Sequence, residues 1–141
     1  MQPNYDAKNG IMYVGTGNGG PWMPDTRPGD NLYTTSVIAL DIADGSIDGH
    51  FQYHWNDAWD WDEVSAPILM PIERDGQKIE GMVHAGRNGY LWTMERAPDG
   101  QINFVAADKY VRQDVFESID PETGRPSYNE ATTPGTNKTV T

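Results

Sequence analysis

The chain has 141 residues, among them 15 glycines, 10 prolines and no cysteine, and a formal net charge of −11. That charge argues against a nucleic-acid surface, which needs clustered Lys and Arg, while leaving open cation binding, a basic protein partner, or plain self-repulsion in water. The missing cysteines exclude a disulfide or thiolate site in this stretch, no apolar run reaches the roughly 18 residues of a membrane span, and Met1-Gln2-Pro3-Asn4 does not begin a signal peptide.

In chain order the pattern is one of short strands and no convincing helix. Ile11 to Thr16 reads as a strand that runs into Gly15-Thr16-Gly17-Asn18. A loop over 19–31 holds three glycines and three prolines. Strands are predicted over 34–41 and 50–55, separated by an Asp44-Gly45 turn. An apolar run over 66–72 and a return over 78–85 flank the hairpin signal Asp75-Gly76. Strands over 90–96 and 101–105 follow, separated by Asp99-Gly100. From about 106 to 141 the pattern dissolves into a long polar loop, and both ends read as cuts from a longer protein.

Short, evenly spaced strands joined by glycine turns predict an all-β antiparallel meander, a propeller or a barrel. A weak repeat favours the propeller. Ala39 to Gly45 followed by Phe51, and Thr93 to Gly100 followed by Phe104, are offset by about 54–55 residues, near the period of a four-stranded blade.

The densest chemistry lies in Asn56-Asp57-Ala58-Trp59-Asp60-Trp61-Asp62-Glu63. On an extended chain Asp60 and Asp62 point to one side, where two carboxylates repel unless a proton, hydrogen-bond donors or a hard cation stand between them. A solvated acidic turn with two packing tryptophans explains the same letters. Asn18 is either a turn residue or an amide donor to a hard cation. Asn88-Gly89 suits a tight turn, whereas Arg87 beside it either sits in solvent or presents a fixed guanidinium to an oxygen acceptor. His50, His54 and His84 are scattered, without zinc spacing.

Five segments in order then carry a resemblance: Gly15 to Asn18 with Pro21-Trp22, Arg27 to Asn31, Trp59-Asp60, Arg87 to Gly89, and Ser118 to Pro126. Together they resemble the methanol and ethanol dehydrogenases that depend on pyrroloquinoline quinone (PQQ). The resemblance implies about two blades of an eight-bladed quinoprotein propeller, in a periplasmic protein that binds PQQ and a metal ion. It implies that Asn18, Asp60 and Asp62 are metal ligands and that Asp60 is the catalytic base. Arg87 then contacts the quinone oxygens, and Trp22 is a wall of the substrate cavity. Asp30 sits in a family motif and reads as structural. An Asp two residues after the catalytic one resembles the lanthanide-dependent branch, calcium being the alternative, because a larger trivalent cation accepts another anionic oxygen.

The implied reaction is oxidation of a small primary alcohol to an aldehyde, with electrons passed to cytochrome c; a homodimer is compatible with it. A PQQ-dependent sugar dehydrogenase, a non-catalytic propeller scaffold and a glycan-binding propeller are the alternatives. Two departures stand out. Phe51 and Phe104 occupy places where the family usually has Trp. The glutamate ligand, the Trp beneath the cofactor and a cysteine pair are expected upstream of this chain, and a further cofactor wall downstream.

Overall fold

The computed structural model describes residues 2–134. It contains two four-stranded antiparallel sheets and one two-stranded sheet. The first sheet is built in sequence order from β1 (Asn4–Asp6), β2 (Ile11–Gly15), β3 (Ser36–Asp41) and β4 (Ile47–Gln52). The second repeats the plan with β5 (Ile68–Arg74), β6 (Gln77–Ala85), β7 (Tyr90–Arg96) and β8 (Ile102–Lys109). β9 (Phe116–Ile119) and β10 (Pro126–Tyr128) form a separate hairpin. The one helical element among the described residues is a 3-10 turn, Pro24–Thr26. This is the all-β, two-blade arrangement expected from the sequence.

Strand periodicity explains the core. β2 and β7 alternate, so Ile11 and Tyr13 face inward on one sheet and Tyr90, Trp92 and Met94 on the other. Val37, Ala39, Phe51, Tyr53, Met82 and Ile102 join them in one cluster between the sheets. Trp92 is fully buried, with its ring centroid 5.7 Å from Phe51 and 5.6 Å from Tyr53. Burying aromatics of this size supplies much of the force that holds two sheets together. β5 is an edge strand, which is why it tolerates Pro71.

The repeat is sharper in space than in the letters. Three hairpins share an Asp-x-x-x-Gly turn: Asp6 to Gly10, Asp41 to Gly45, and Asp120 to Gly124. In each, the Gly N–H donates to the Asp carbonyl at 2.8–2.9 Å, and the Asp carboxylate accepts from the amide two residues on. Each of these glycines has a positive φ, the left-handed conformation that only Gly adopts without cost. The Asp99-Gly100 turn differs, since its Gly N–H reaches Ala97 instead. The two aromatics after the predicted repeats, Phe51 and Phe104, stack on each other at 5.9 Å and 10°.

Several boundaries differ from the sequence reading. β1 was not expected, being only three residues without an apolar run. The strand predicted over 50–55 runs from Ile47 to Gln52. Ile47 already pairs with Leu40, and a Cβ at Gly49 would lie 2.3 Å from the Gly100 carbonyl oxygen, too close for any other residue. The polar stretch from about 106 holds the end of β8 and the β9–β10 hairpin. Phe116 and Tyr128 anchor that hairpin to the aromatic cluster around Trp55, Trp59 and Trp61. Residues 135–141 of the same stretch lie outside the described residues.

Candidate functional site

The site forms where the chain leaves the first sheet, crosses over residues 53–67 and enters the second. Gly15 and Gly17 open its floor. A Cβ on Gly15 would lie 2.3 Å from the Glu63 carbonyl oxygen, and one on Gly17 would lie 2.7 Å from Asp62 Oδ1. Bare backbone is therefore what lets the acidic segment run against β2 and donate from Glu63 N–H to Thr16 O at 3.2 Å. The glycines of Gly15-Thr16-Gly17-Asn18 serve this approach.

Asp62 turns toward Asn18 and Arg87. Its Oδ1 accepts the Asn18 backbone N–H at 2.9 Å, and its Oδ2 lies 3.8 Å from Arg87 Nη1. Both charged side chains are partly exposed, so the pair is a weak contact that orients more than it stabilises. The side-chain nitrogen of Asn18 is buried and has no partner among the described residues. Flipping the amide places its oxygen, the cation-binding atom, in that same unfilled position.

Asp60 does not lie beside Asp62 on an extended chain. Its φ is +61°, so the strand geometry that would align the two carboxylates is broken at this residue. Non-Gly residues hold such a conformation where the surroundings enforce it. Here the Asp60 N–H donates to Asp57 Oδ2 at 2.9 Å, and the Asp60 carboxylate is exposed with no partner among the described residues. Trp59 and Trp61 on either side stack at 5.1 Å. Trp22 is 57% exposed on the loop above. That loop is tied down by Arg27, which donates to Pro21 O, to Asn31 and Asn56 side chains, and to Asp57 O. Asp30 binds Arg125 through two hydrogen bonds, 2.6 and 3.0 Å, and so joins the same loop to the β9–β10 hairpin.

A buried polar layer lies beneath these residues. Asp57 and His54 are fully buried and meet at 3.1 Å. Glu63, also buried, meets His84 Nε2 at 2.7 Å and accepts the backbone N–H groups of Arg87 and Asn88. The Asn88 side chain meets His54 Nδ1 at 3.2 Å and accepts from Trp92 Nε1 and Tyr90 N–H. Burial works to raise the Asp57 pKa, but the hydrogen bond from His54 and those from the Trp61 and Trp59 amides outweigh it, and its carboxyl is held below the usual value. Two of the three histidines, His54 and His84, are thus members of one network. Asp57 and Glu63 are in the acidic octet already singled out, but nothing in the letters separates the buried pair from the exposed pair.

The donors that face outward, an amide at Asn18 and carboxylates at Asp60 and Asp62, are hard oxygen ligands suited to a hard cation. Among the described residues no three His, Cys, Asp or Glu side chains converge as a cation cage. The donor types fit part of a metal shell, with Asn18 and Asp62 already adjacent and the Arg87 guanidinium 3.8 Å from Asp62 beside them.

A two-blade propeller segment with an oxygen-donor site at the crossover between its blades is the class this fold and site define. Residues 2–132 match the PQQ family described as the glucose/ethanol/alcohol dehydrogenase β-propeller domain, and the chain belongs to that family. It is 36% identical over 131 residues to quinoprotein alcohol dehydrogenase PedH of Pseudomonas putida, covering 93% of this chain and 22% of the relative. Among solved structures it is similar to quinohemoprotein alcohol dehydrogenase of Comamonas testosteroni, with TM-score 0.88, 32% identity, and coverage of 96% and 20%. It is also similar to a europium-containing methanol dehydrogenase, with TM-score 0.82, 29% identity, and coverage of 91% and 22%. The chain therefore spans about a fifth of the length of its relatives, as two blades of a quinoprotein propeller.

Proposed function

We propose that this chain carries the catalytic aspartate and the cofactor-facing arginine of a PQQ-dependent alcohol dehydrogenase acting on a small primary alcohol. The observation that carries the reading is Asp60: a carboxylate held without a partner by a strained turn, on the network that also fixes Arg87. When bound, PQQ with its metal ion supplies the acceptor for the hydride that leaves the alcohol carbon. Asp60 takes the hydroxyl proton as general base, so that the alcohol is released as aldehyde. Arg87 offers guanidinium donors to oxygen as negative charge develops there. Trp22 forms a wall of the substrate cavity. Electrons leave to a cytochrome c, in the periplasm.

Asn18, Asp60 and Asp62 would hold the metal, and Asp62 favours a lanthanide(III) over calcium because it adds an anionic oxygen. The likeness to a europium-containing enzyme supports this choice. La³⁺ should activate the protein more than Ca²⁺ does, and Asp62→Ala should reverse the order. Equal activation of the unaltered protein by both ions would count against it.

The test of Asp60 is the Asp60→Asn variant of the full-length protein. It should keep PQQ, read by cofactor absorbance, and lose about 10²–10⁴ in kcat. Unchanged turnover removes Asp60 from the mechanism. The family description also names glucose dehydrogenase, so an aldose is the second substrate reading. Dye reduction with primary alcohols against glucose separates the two.

A further inference from the structure

Asn88 and His54 touch neither the outward carboxylates nor Trp22, yet they lie between the two turns that carry the site. The Asn88 amide has only one orientation that satisfies its neighbours. Its Oδ1 accepts two N–H groups, Trp92 Nε1 at 3.1 Å and Tyr90 N at 3.2 Å. Its Nδ2 therefore faces His54 Nδ1, 3.2 Å away. An NH₂ group donates, so Nδ1 must carry a lone pair and the imidazole proton must sit on Nε2. Nε2–H then donates to Asp57 Oδ1 at 3.1 Å. Asp57 spends its remaining acceptor capacity on the amides of Asp60, at 2.9 Å, and Trp61, at 3.4 Å. On the other side, Asn88 and Arg87 are gripped by their own backbone N–H groups on Glu63, which His84 supports. Every bond in the chain has one direction, and every side chain in it is buried.

We propose that Asn88 and His54 are positioning residues, which lock the Asp60 turn and the Arg87 turn to each other through this directed, buried chain of hydrogen bonds. The functional consequence rests on the reading of Asp60 and Arg87 given above; the lock itself does not. Asp60 holds a left-handed conformation whose enforcing contact is Asp57, and Asp57 is in turn oriented from the Arg87 side through His54. Disturbing Asn88 thus reaches Asp60 across the blade boundary without touching it.

Asn88→Asp tests this in the full-length protein. It keeps the oxygen that serves Trp92 and Tyr90 and replaces the donor facing His54 Nδ1 by an acceptor. Amide hydrogen exchange at Asp60 and Trp61 should rise by about tenfold or more, the loss of about one hydrogen bond, while Met12 and Leu40 in the first sheet stay unchanged. No change at Asp60 and Trp61, or an equal rise throughout both sheets, overturns the lock. In the PQQ-loaded enzyme the same variant should lower kcat by about 10–100-fold with KM little altered. Met94→Ala, a core substitution away from the network, should lower melting temperature while sparing kcat. If Asn88→Asp loses no more kcat than Met94→Ala, the positioning role is overturned. If the unaltered protein oxidises no alcohol with PQQ while exchange responds as expected, the lock stands and the reading of Asp60 fails.

Discussion

At the scale of single residues, close approach decides which letters are tolerated. Gly15 and Gly17 are both required by the acidic segment, but by different atoms of it. A side chain at Gly15 meets the Glu63 backbone, which cannot move without the crossover. Gly15→Ala is therefore expected to cost about 1–3 kcal/mol, the usual penalty of overpacking. A side chain at Gly17 clashes with the end of the Asp62 carboxylate and otherwise meets Val64 at an ordinary 3.8 Å. Gly17→Ala should cost about 1 kcal/mol, because Asp62 swings aside and loses the Asn18 amide. Denaturant melts of the two variants order them. A larger loss at Gly17 than at Gly15 would contradict this account.

At the scale of elements, an ion pair ties the two sheets together. Arg96, at the end of β7, is buried against Asp6 at the end of β1, 3.4 Å from Glu80 on β6, and donates to Gly81 O at 3.0 Å. Its guanidinium also lies 5.8 Å from the Tyr13 ring centroid. Removing one partner of a buried pair leaves the other uncompensated, so Arg96→Met should cost about 3–5 kcal/mol. Adding Asp6→Asn should recover part of that loss, as expected for coupled sites. The pair also sets an acid limit. Burial pushes the Asp6 pKa up, but the Asn9 hydrogen bond, the Arg96 charge and the amides of Lys8 and Asn9 more than offset this, so it lies below its ordinary 3.8. A carboxyl whose folded pKa is lowered contributes stability above its unfolded value and loses it as pH falls through the folded one. Stability should therefore drop below about pH 4, and Arg96→Met should flatten that acid limb in melts followed against pH.

At the scale of the whole molecule, Trp92 belongs to both the core and the site. It packs on Phe51, Tyr53, Tyr90 and Phe104, while its Nε1 donates to Asn88. Trp92→Ala should cost about 3–5 kcal/mol through the cavity it leaves. Trp92→Phe should cost less, about 1–2 kcal/mol, and much of that should trace to Asn88 Oδ1 losing a donor. A thermal melt of each, with exchange at Tyr90 and Asn88, separates packing from hydrogen bonding.

Alternating strands and glycine turns are written in short stretches of chain, and so the all-β blades were legible without coordinates. The Asp75-Gly76 hairpin is one example: Arg74 pairs with Gln77 across it as the letters require. The family was legible as well, because resemblance is a property of the order and spacing of motifs. Three things were not. Phe116 and Tyr128 lie in a polar context, and their packing on the crossover tryptophans, which docks that hairpin, leaves no periodic pattern in the letters. An extended chain would align Asp60 with Asp62, but Asp60 takes a positive φ and donates its N–H to the Asp57 carboxylate instead. His54, Glu63, His84 and Asn88 are separated by up to 34 residues and carry no spacing signal, yet they form one buried layer. Local periodicity and turn chemistry are thus determined by the sequence itself. Which of two neighbouring carboxylates is buried, paired or left free depends on distant groups, and only the tertiary structure brings those groups within hydrogen-bonding reach.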